Sequence, residues 1–126
     1  MTDPSFAPGV LDRLRREIEV DIETRAAADA RPHRTTIWVV VDERDRVLVR
    51  SYRGATARWY REATTGTPAA LVIGDAVLPV TVDPARDEDR IRACSAELER
   101  KYAGDPATPA MVRDEVLDTT LELRPA

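Results

Sequence analysis

With 126 residues, 43% of them hydrophobic and 33% charged, the chain has the make-up of one globular domain, 1–126, with a single modest core. No 18-residue apolar run and no basic-then-apolar leader can be read, which sets aside a membrane partner and a secretory signal and leaves the cytoplasm as the expected location. The net charge of −4 sets aside general nucleic-acid binding, whose affinity comes from clustered positive charge.

The charge is unevenly spread. Residues 31–61 hold eight arginines against Asp42, Glu43 and Asp45, a local balance of +5 inside an acidic chain. Such a segment suits a small anionic cofactor or metabolite better than a polyanion, with solvated arginines on strand edges as the plainer alternative. The lone Cys94 has no internal disulfide partner, and among apolar helix positions it reads as a small hydrophobe.

Residues 1–9 are expected to form a loosely ordered N-terminal segment. Val10, Leu11, Leu14 and Ile18 then recur at helical spacing and predict a short amphipathic helix. Ile18, Val20, Ile22 and Thr24 alternate with Glu19, Asp21 and Glu23, the period of a strand with one wet face. Pro32 marks residues 26–33 as a loop, with His33 expected in solvent.

"TTIWVVV", residues 35–41, and "RVLVRSY", residues 46–52, predict a hairpin across a charged connection. With Val41 opposite Val47, one face carries Ile37, Val39, Val41, Val47 and Val49 and reads as core. The other carries Arg34, Thr36, Trp38, Val40, Leu48, Arg50 and Tyr52, which is neither core nor ordinary surface. "ARWYREATTG" predicts a short helix closing at Gly66, with Trp59, Tyr60 and Ala63 turned inward.

Residues 69–82 read as a second hairpin turning at Gly74 and Asp75, with Pro79 calling for an edge or a bulge. Asp83 and Pro84 read as the start of a long helix striped by Ile91, Cys94, Leu98 and Tyr102 and ended by Gly104. Thr108 and Pro109 open another short helix, and Leu117, Thr119, Leu121 and Leu123 alternate as a last strand. Six antiparallel strands with segregated helices give an α+β class, a small antiparallel β-barrel with helices packed at its side.

No dinucleotide or phosphate-loop glycine motif, no H-E-x-x-H and no C-x-x-C occurs, and with one histidine and one cysteine no metal is expected. The acids of "DPARDEDR" suit a helix start better than catalysis. What remains is the end of the first hairpin. Arg50, Ser51, Arg53 and Gly54, with Arg34 and Thr35 on the neighbouring strand, supply the guanidinium forks, hydroxyls and open backbone of an anion cradle. Trp38, Tyr52, Trp59 and Tyr60 add flat walls for a planar ring. The same face could instead be a homodimer interface, where arginine and aromatic residues are enriched.

The run from Arg31 to Ala63, with "TTIWVV", "VRSYRG" and "WYREA" in that order, resembles the flavin-type split β-barrel superfamily of pyridoxamine-phosphate-oxidase-like proteins and deazaflavin-dependent reductases. More narrowly, that core with the later "KY" and the closing "TTLELRP" resembles the bacterial family known as domain of unknown function 2255. The wider resemblance implies a homodimer binding flavin mononucleotide, a deazaflavin coenzyme or sometimes heme between subunits, and an oxidoreductase acting on a small molecule. It implies Arg34, Thr35, Thr36, Arg50, Ser51 and Arg53 near the cofactor phosphate, and Trp38 and Trp59 near its ring or the substrate, beside the Gly54 and Tyr60 already read from the residues as part of the same cofactor site. A non-catalytic ligand-binding or dimerisation module is the alternative.

Overall fold

The computed structural model describes residues 5–126. In chain order it contains helix α1 (Pro8–Arg16), strands β1 (Val20–Thr24), β2 (His33–Ile37), β3 (Val40–Val41) and β4 (Val47–Val49), and helix α2 (Arg58–Ala63). There follow strands β5 (Ala69–Ile73) and β6 (Ala76–Pro84), helices α3 (Glu88–Lys101) and α4 (Thr108–Met111), and strand β7 (Leu121–Pro125). Two 3₁₀ turns, Gly54–Thr56 and Asp114–Thr119, complete the described elements. The expectation for residues 1–4 lies outside the described residues, and α1 already begins at Pro8.

All seven strands form one antiparallel sheet in the order β2-β1-β5-β6-β7-β4-β3. The expected α+β class holds, with one strand more than expected. The extra strand comes from the stretch 35–41, which the sequence presents as one continuous strand. Its first part, β2, pairs with β1, Ile37 opposite Val20, while β3 pairs with β4, Val41 opposite Val47. The register of the first hairpin is therefore as expected, but its ladder does not reach Ile37 or Thr36.

β2 and β3 are the two edges of the sheet, and only Trp38 and Val39 separate them. Three residue steps span at most about 11 Å, whereas six strand spacings in a flat sheet would put the edges about 29 Å apart. The sheet must therefore curl into a half-barrel, and this crossing is where it closes.

Leaving both ladders strips Val39 of strand partners, and the end of α3 replaces them. Its N–H donates to the Tyr102 hydroxyl at 3.3 Å and its carbonyl accepts from Lys101 Nζ at 2.7 Å. Tyr102 also donates to the Ile18 carbonyl at 2.7 Å, and Lys101 to the Leu14 carbonyl at the end of α1 at 2.8 Å. The only lysine of the chain and its neighbour thus tie α1, the crossing and α3 together, meeting the rule that buried backbone polar groups are paired.

The alternation expected of the hairpin is realised. Ile37, Val39, Val41, Val47 and Val49 enter the core inside the curl, with Leu14, Ile22, Leu71, Trp59, Leu121 and Leu123. Val40 and Leu48 face outward into a second cluster under α3 and α4, with Cys94, Leu98, Tyr102 and Met111. Cys94 is fully buried there, and burial pushes its thiol up to about 11.

The second hairpin turns as expected at Gly74 and Asp75, with Gly74 at φ +57°, the first-position conformation of a type II′ turn. Pro79 needs neither an edge strand nor a bulge. Its carbonyl accepts from the Ala126 N–H at 3.0 Å, so its ring nitrogen faces the same side, beyond the last β6–β7 pair at Val80 and Pro125.

Two boundaries differ from expectation. Asp83 and Pro84 end β6 rather than start α3, whose N-cap is Asp87, accepting from the Arg90 N–H at 3.0 Å. Arg90 donates to Asp83 at 2.7 Å and to Asp87 at 2.6 Å, which with the backbone N–H holds Asp87 down to about 2. Leu117 and Thr119 belong to a 3₁₀ turn, and the last strand starts only at Leu121, because the Thr119 and Thr120 hydroxyls bond back to the Val116 and Leu117 carbonyls.

Replacing Tyr102 by Phe leaves the Val39 N–H and the Ile18 carbonyl without their partner, so we expect a loss of about 1–3 kcal/mol in urea unfolding. Tyr52→Phe, at a side chain 53% exposed, serves as the control and should stay within about 0.5 kcal/mol of the parent.

Candidate functional site

The end of the first hairpin is built by departures from the ladder at Arg50, Ser51 and Gly54. Arg50 turns its side chain under α3 and α4. Ser51, whose N–H would next join the ladder, donates instead to Thr119 Oγ1 at 3.0 Å, and its hydroxyl donates to the Gly54 carbonyl at 2.7 Å. Gly54 sits at φ +76°, and a Cβ there would meet nothing within 4 Å. The glycine serves a turn that needs a left-handed backbone, not the close approach of a neighbour.

Around this turn lie two adjoining clefts that share Thr36, Tyr52 and Trp59. The inner one, about 220 Å³, is lined also by Glu19, Ile37, Trp38, Arg50, Ala107 and Met111. The outer one, about 520 Å³, adds Thr35, Arg53, Thr56, Ala57 and Arg58. Trp38 is held by the barrel crossing, and its indole stacks on Tyr102 with centroids 3.9 Å apart and planes at 4°. Trp59 rises from α2, 7% exposed, as part of the core wall. Tyr52 stands at the junction, with Arg113 donating to its carbonyl at 2.8 Å and lying 5.6 Å over its ring.

The two clefts differ in electrostatics. Arg53 and Arg58 are exposed in the outer cleft and form no ion pair among the described residues, beside the hydroxyl-bearing Thr35, Thr36 and Thr56. In the inner cleft Arg50 is only 1% exposed. Its Nε donates to Thr120 Oγ1 at 2.9 Å, Nη1 to Ser95 Oγ at 2.8 Å and to the Met111 carbonyl at 3.1 Å, and Nη2 to the Ile91 carbonyl at 3.0 Å. All four acceptors are neutral, and burial lowers its pKa from the ordinary arginine value.

Of the residues singled out in the sequence, Thr35, Thr36, Trp38, Arg50, Arg53 and Trp59 line one cleft or both. Four do not. Arg34 is exposed and bonds Glu23 at 3.1 Å across β1 and β2. Ser51 and Gly54 are engaged with each other. Tyr60 packs on the core beside Trp59, edge to face at 6.2 Å, and its hydroxyl is pushed up by burial and Asp118. Arg58 and Thr56 were visible in the sequence next to Trp59. Glu19, Met111 and Arg113 arrive from elsewhere in the chain, and no local pattern marks them.

His33 is not a solvated loop residue. It opens β2, with Nδ1 3.2 Å from both carboxylate oxygens of buried Glu62, which also accepts from Thr24 Oγ1 at 2.9 Å. This clasp lies at the far end of β2 from Ile37, and neither His33 nor Glu62 lines either cleft. Among the described residues no group of three or more metal-ligating side chains converges, and no helix is long and apolar enough to cross a membrane.

Residues 10–123 match the model of a family described as "Uncharacterized protein conserved in bacteria (DUF2255)". Among solved structures, the chain is similar to the conserved hypothetical protein Rv2991 of Mycobacterium tuberculosis, with TM-score 0.65, 12% identity, and coverage of 100% of this chain and 83% of that one. It is similar also to HutZ, the heme storage protein of Vibrio cholerae, with TM-score 0.67, 12% identity and coverage of 97% and 91%. A protein of unknown function from Agrobacterium tumefaciens, Atu2129, superposes with TM-score 0.66 at 11% identity, and this chain spans 57% of its length. These likenesses establish a shared split-barrel fold. No curated protein matches the sequence.

The Glu62 clasp gives the fold a defined acid response. Desolvation pushes the Glu62 carboxyl up, but hydrogen bonds from His33 and Thr24 outweigh it and hold the carboxyl below its ordinary 4.5. A group depressed in the folded state adds stability above its unfolded pKa and loses it as the pH falls through the folded one. The melting temperature of the parent should therefore fall more steeply than that of Glu62→Gln as the pH drops from about 5 to about 3. Parallel curves would contradict the clasp.

Proposed function

The chain belongs to the DUF2255 family of uncharacterized proteins conserved in bacteria, and we propose that it binds a flavin or deazaflavin, with the phosphate in the outer cleft and the ring over Tyr52 at the junction of the two clefts. The observation that carries this reading is the pair of exposed guanidinium groups, Arg53 and Arg58, beside three threonine hydroxyls and outside any ion pair among the described residues. Guanidinium and hydroxyl donors are what a phosphate takes, and Trp59 and Tyr52 lead from them toward Trp38. The phosphate contacts in this proposal are thus Arg53, Arg58, Thr35, Thr36 and Thr56, while Arg34, Ser51, Gly54 and Tyr60 act as supports around the site.

Such a cofactor would supply the hydride chemistry of an oxidoreductase acting on a small molecule, and the chain would bind it, orient it and exclude water. We further propose a cytoplasmic homodimer acting on neither nucleic acid nor membrane. Tyr52, 53% exposed at the junction of the clefts, is where a second copy would complete the wall. A non-catalytic binding module is the second reading, favoured by the heme storage role of the Vibrio cholerae neighbour. Histidine-ligated heme fits these clefts poorly, because the sole histidine is clasped by Glu62 outside them.

Titration with flavin mononucleotide and with a deazaflavin coenzyme, followed by ligand fluorescence, tests the proposal. Saturable binding of either is expected. Arg53→Ala and Arg58→Ala should each weaken it about 10- to 100-fold, the worth of a charge-assisted phosphate contact, with little change in melting temperature because both side chains are exposed. Binding of neither ligand, or binding indifferent to both substitutions, would overturn it.

A further inference from the structure

A buried cation is ordinarily matched by a carboxylate or neutralised. An arginine does not give up its proton, so Arg50 stays charged wherever it is placed. Its four hydrogen bonds go to two hydroxyls and two carbonyls, which leaves one of its five N–H groups, on Nη2, without an acceptor among the described residues. No acid forms an ion pair with it, although the described chain pairs arginines with carboxylates in many other places. This uncompensated charge lines a cleft walled by Trp38, Trp59 and Met111. The cleft's one acid, Glu19, is exposed and makes no ion pair with Arg50.

We propose that the inner cleft is a receptor for a planar aromatic acid of about one ring, whose carboxylate takes the one Arg50 N–H, on Nη2, that has no acceptor among the described residues, while its ring lies against the two indoles. Three observations converge on that class. The volume of about 220 Å³ suits a single ring and not an extended molecule. Indole and thioether walls favour a flat apolar body. A guanidinium already desolvated and fixed by four bonds has little hydration left to lose when an anion arrives, and an anion would restore the missing counter-charge. Glu19, on the lining of the same cleft, disfavours a second negative group and limits the ligand to a monoanion. In the outer cleft, by contrast, the guanidinium groups are solvated, which suits a phosphate. The inference deepens the reading of the clefts as a ligand site and assigns the inner one to the acid on which the protein would act.

The chain has two tryptophans, and both line this cleft, so their indole N–H resonances report on it directly. The whole protein is titrated with benzoate and with its neutral isostere benzamide. Benzoate should shift both resonances saturably, with benzamide at least about ten-fold weaker, the cost of losing a charge-assisted bond. Glu19→Gln, at an exposed side chain that leaves the fold intact, should tighten benzoate about two- to five-fold and leave benzamide unchanged. Arg50→Lys, which gives up the guanidinium's bonds at some cost in stability, should weaken benzoate in whatever fraction folds. Equal affinities for the two probes, motionless indole resonances, or benzoate binding indifferent to Glu19→Gln would each overturn the proposal. Benzoate binding that persists in a protein indifferent to flavin mononucleotide supports the inner site and sinks the cofactor reading. The reverse pattern sinks the inner site alone.

Discussion

The closing of the sheet at Trp38 and Val39 is the constraint from which the rest of this structure follows. Two residues join strands that stand at opposite edges of a seven-stranded sheet, and the chain cannot reach from one to the other unless the sheet curls. Curling costs Val39 both of its ladder bonds. The hydroxyl of Tyr102 and the ammonium of Lys101 restore them from outside the sheet. That substitution also sets where α3 ends, where α1 docks and which way the Trp38 indole faces.

The site inherits its geometry from that closure. Trp38 is stacked on the same Tyr102 that pins Val39, so the wall of the inner cleft is as rigid as the barrel seam. On the other side, Arg50 gives up its place in the sheet to brace α3, α4 and the turn before β7. A single arginine therefore has two roles: its neutral hydrogen bonds hold the helices on the outer face of the sheet, and its unmatched charge marks the cleft beneath them. Burying a cation in this way is costly and can be sustained only because nearly every donor is satisfied.

The first hairpin shows how far local pattern reaches. Alternation in "TTIWVVV" and "RVLVRSY" gives the correct register at Val41 and Val47 and the correct inner face. It could not show that the first strand changes partner at Trp38, because nothing in a period of two records which neighbour a strand pairs with. The same limit explains the start of α3. Asp83 and Pro84 make a chemically sound helix start, yet pairing with Glu122 and Leu121 of β7 keeps them in the sheet, and the equally suitable Asp87 takes the cap. His33 reads as a loop residue until Glu62, 29 positions away, is folded against it.

By itself the sequence determined the α+β class, the stripe of the long helix, both hairpin registers and the concentration of arginine and indole at one end of the first hairpin, since each depends on residues close together in the chain. Ile18, expected to extend the stripe of the first helix, lies past its end and is exposed. Tertiary structure alone decided that Ser51 and Gly54 would serve a turn, that Arg34 would bond Glu23, that Arg50 would lie buried without an acid, and that Glu19 and Met111 would share its cleft. Those outcomes depend on which distant groups arrive within about 3 Å of one another, and hydrogen-bond partners brought together by folding leave no periodic trace in the chain.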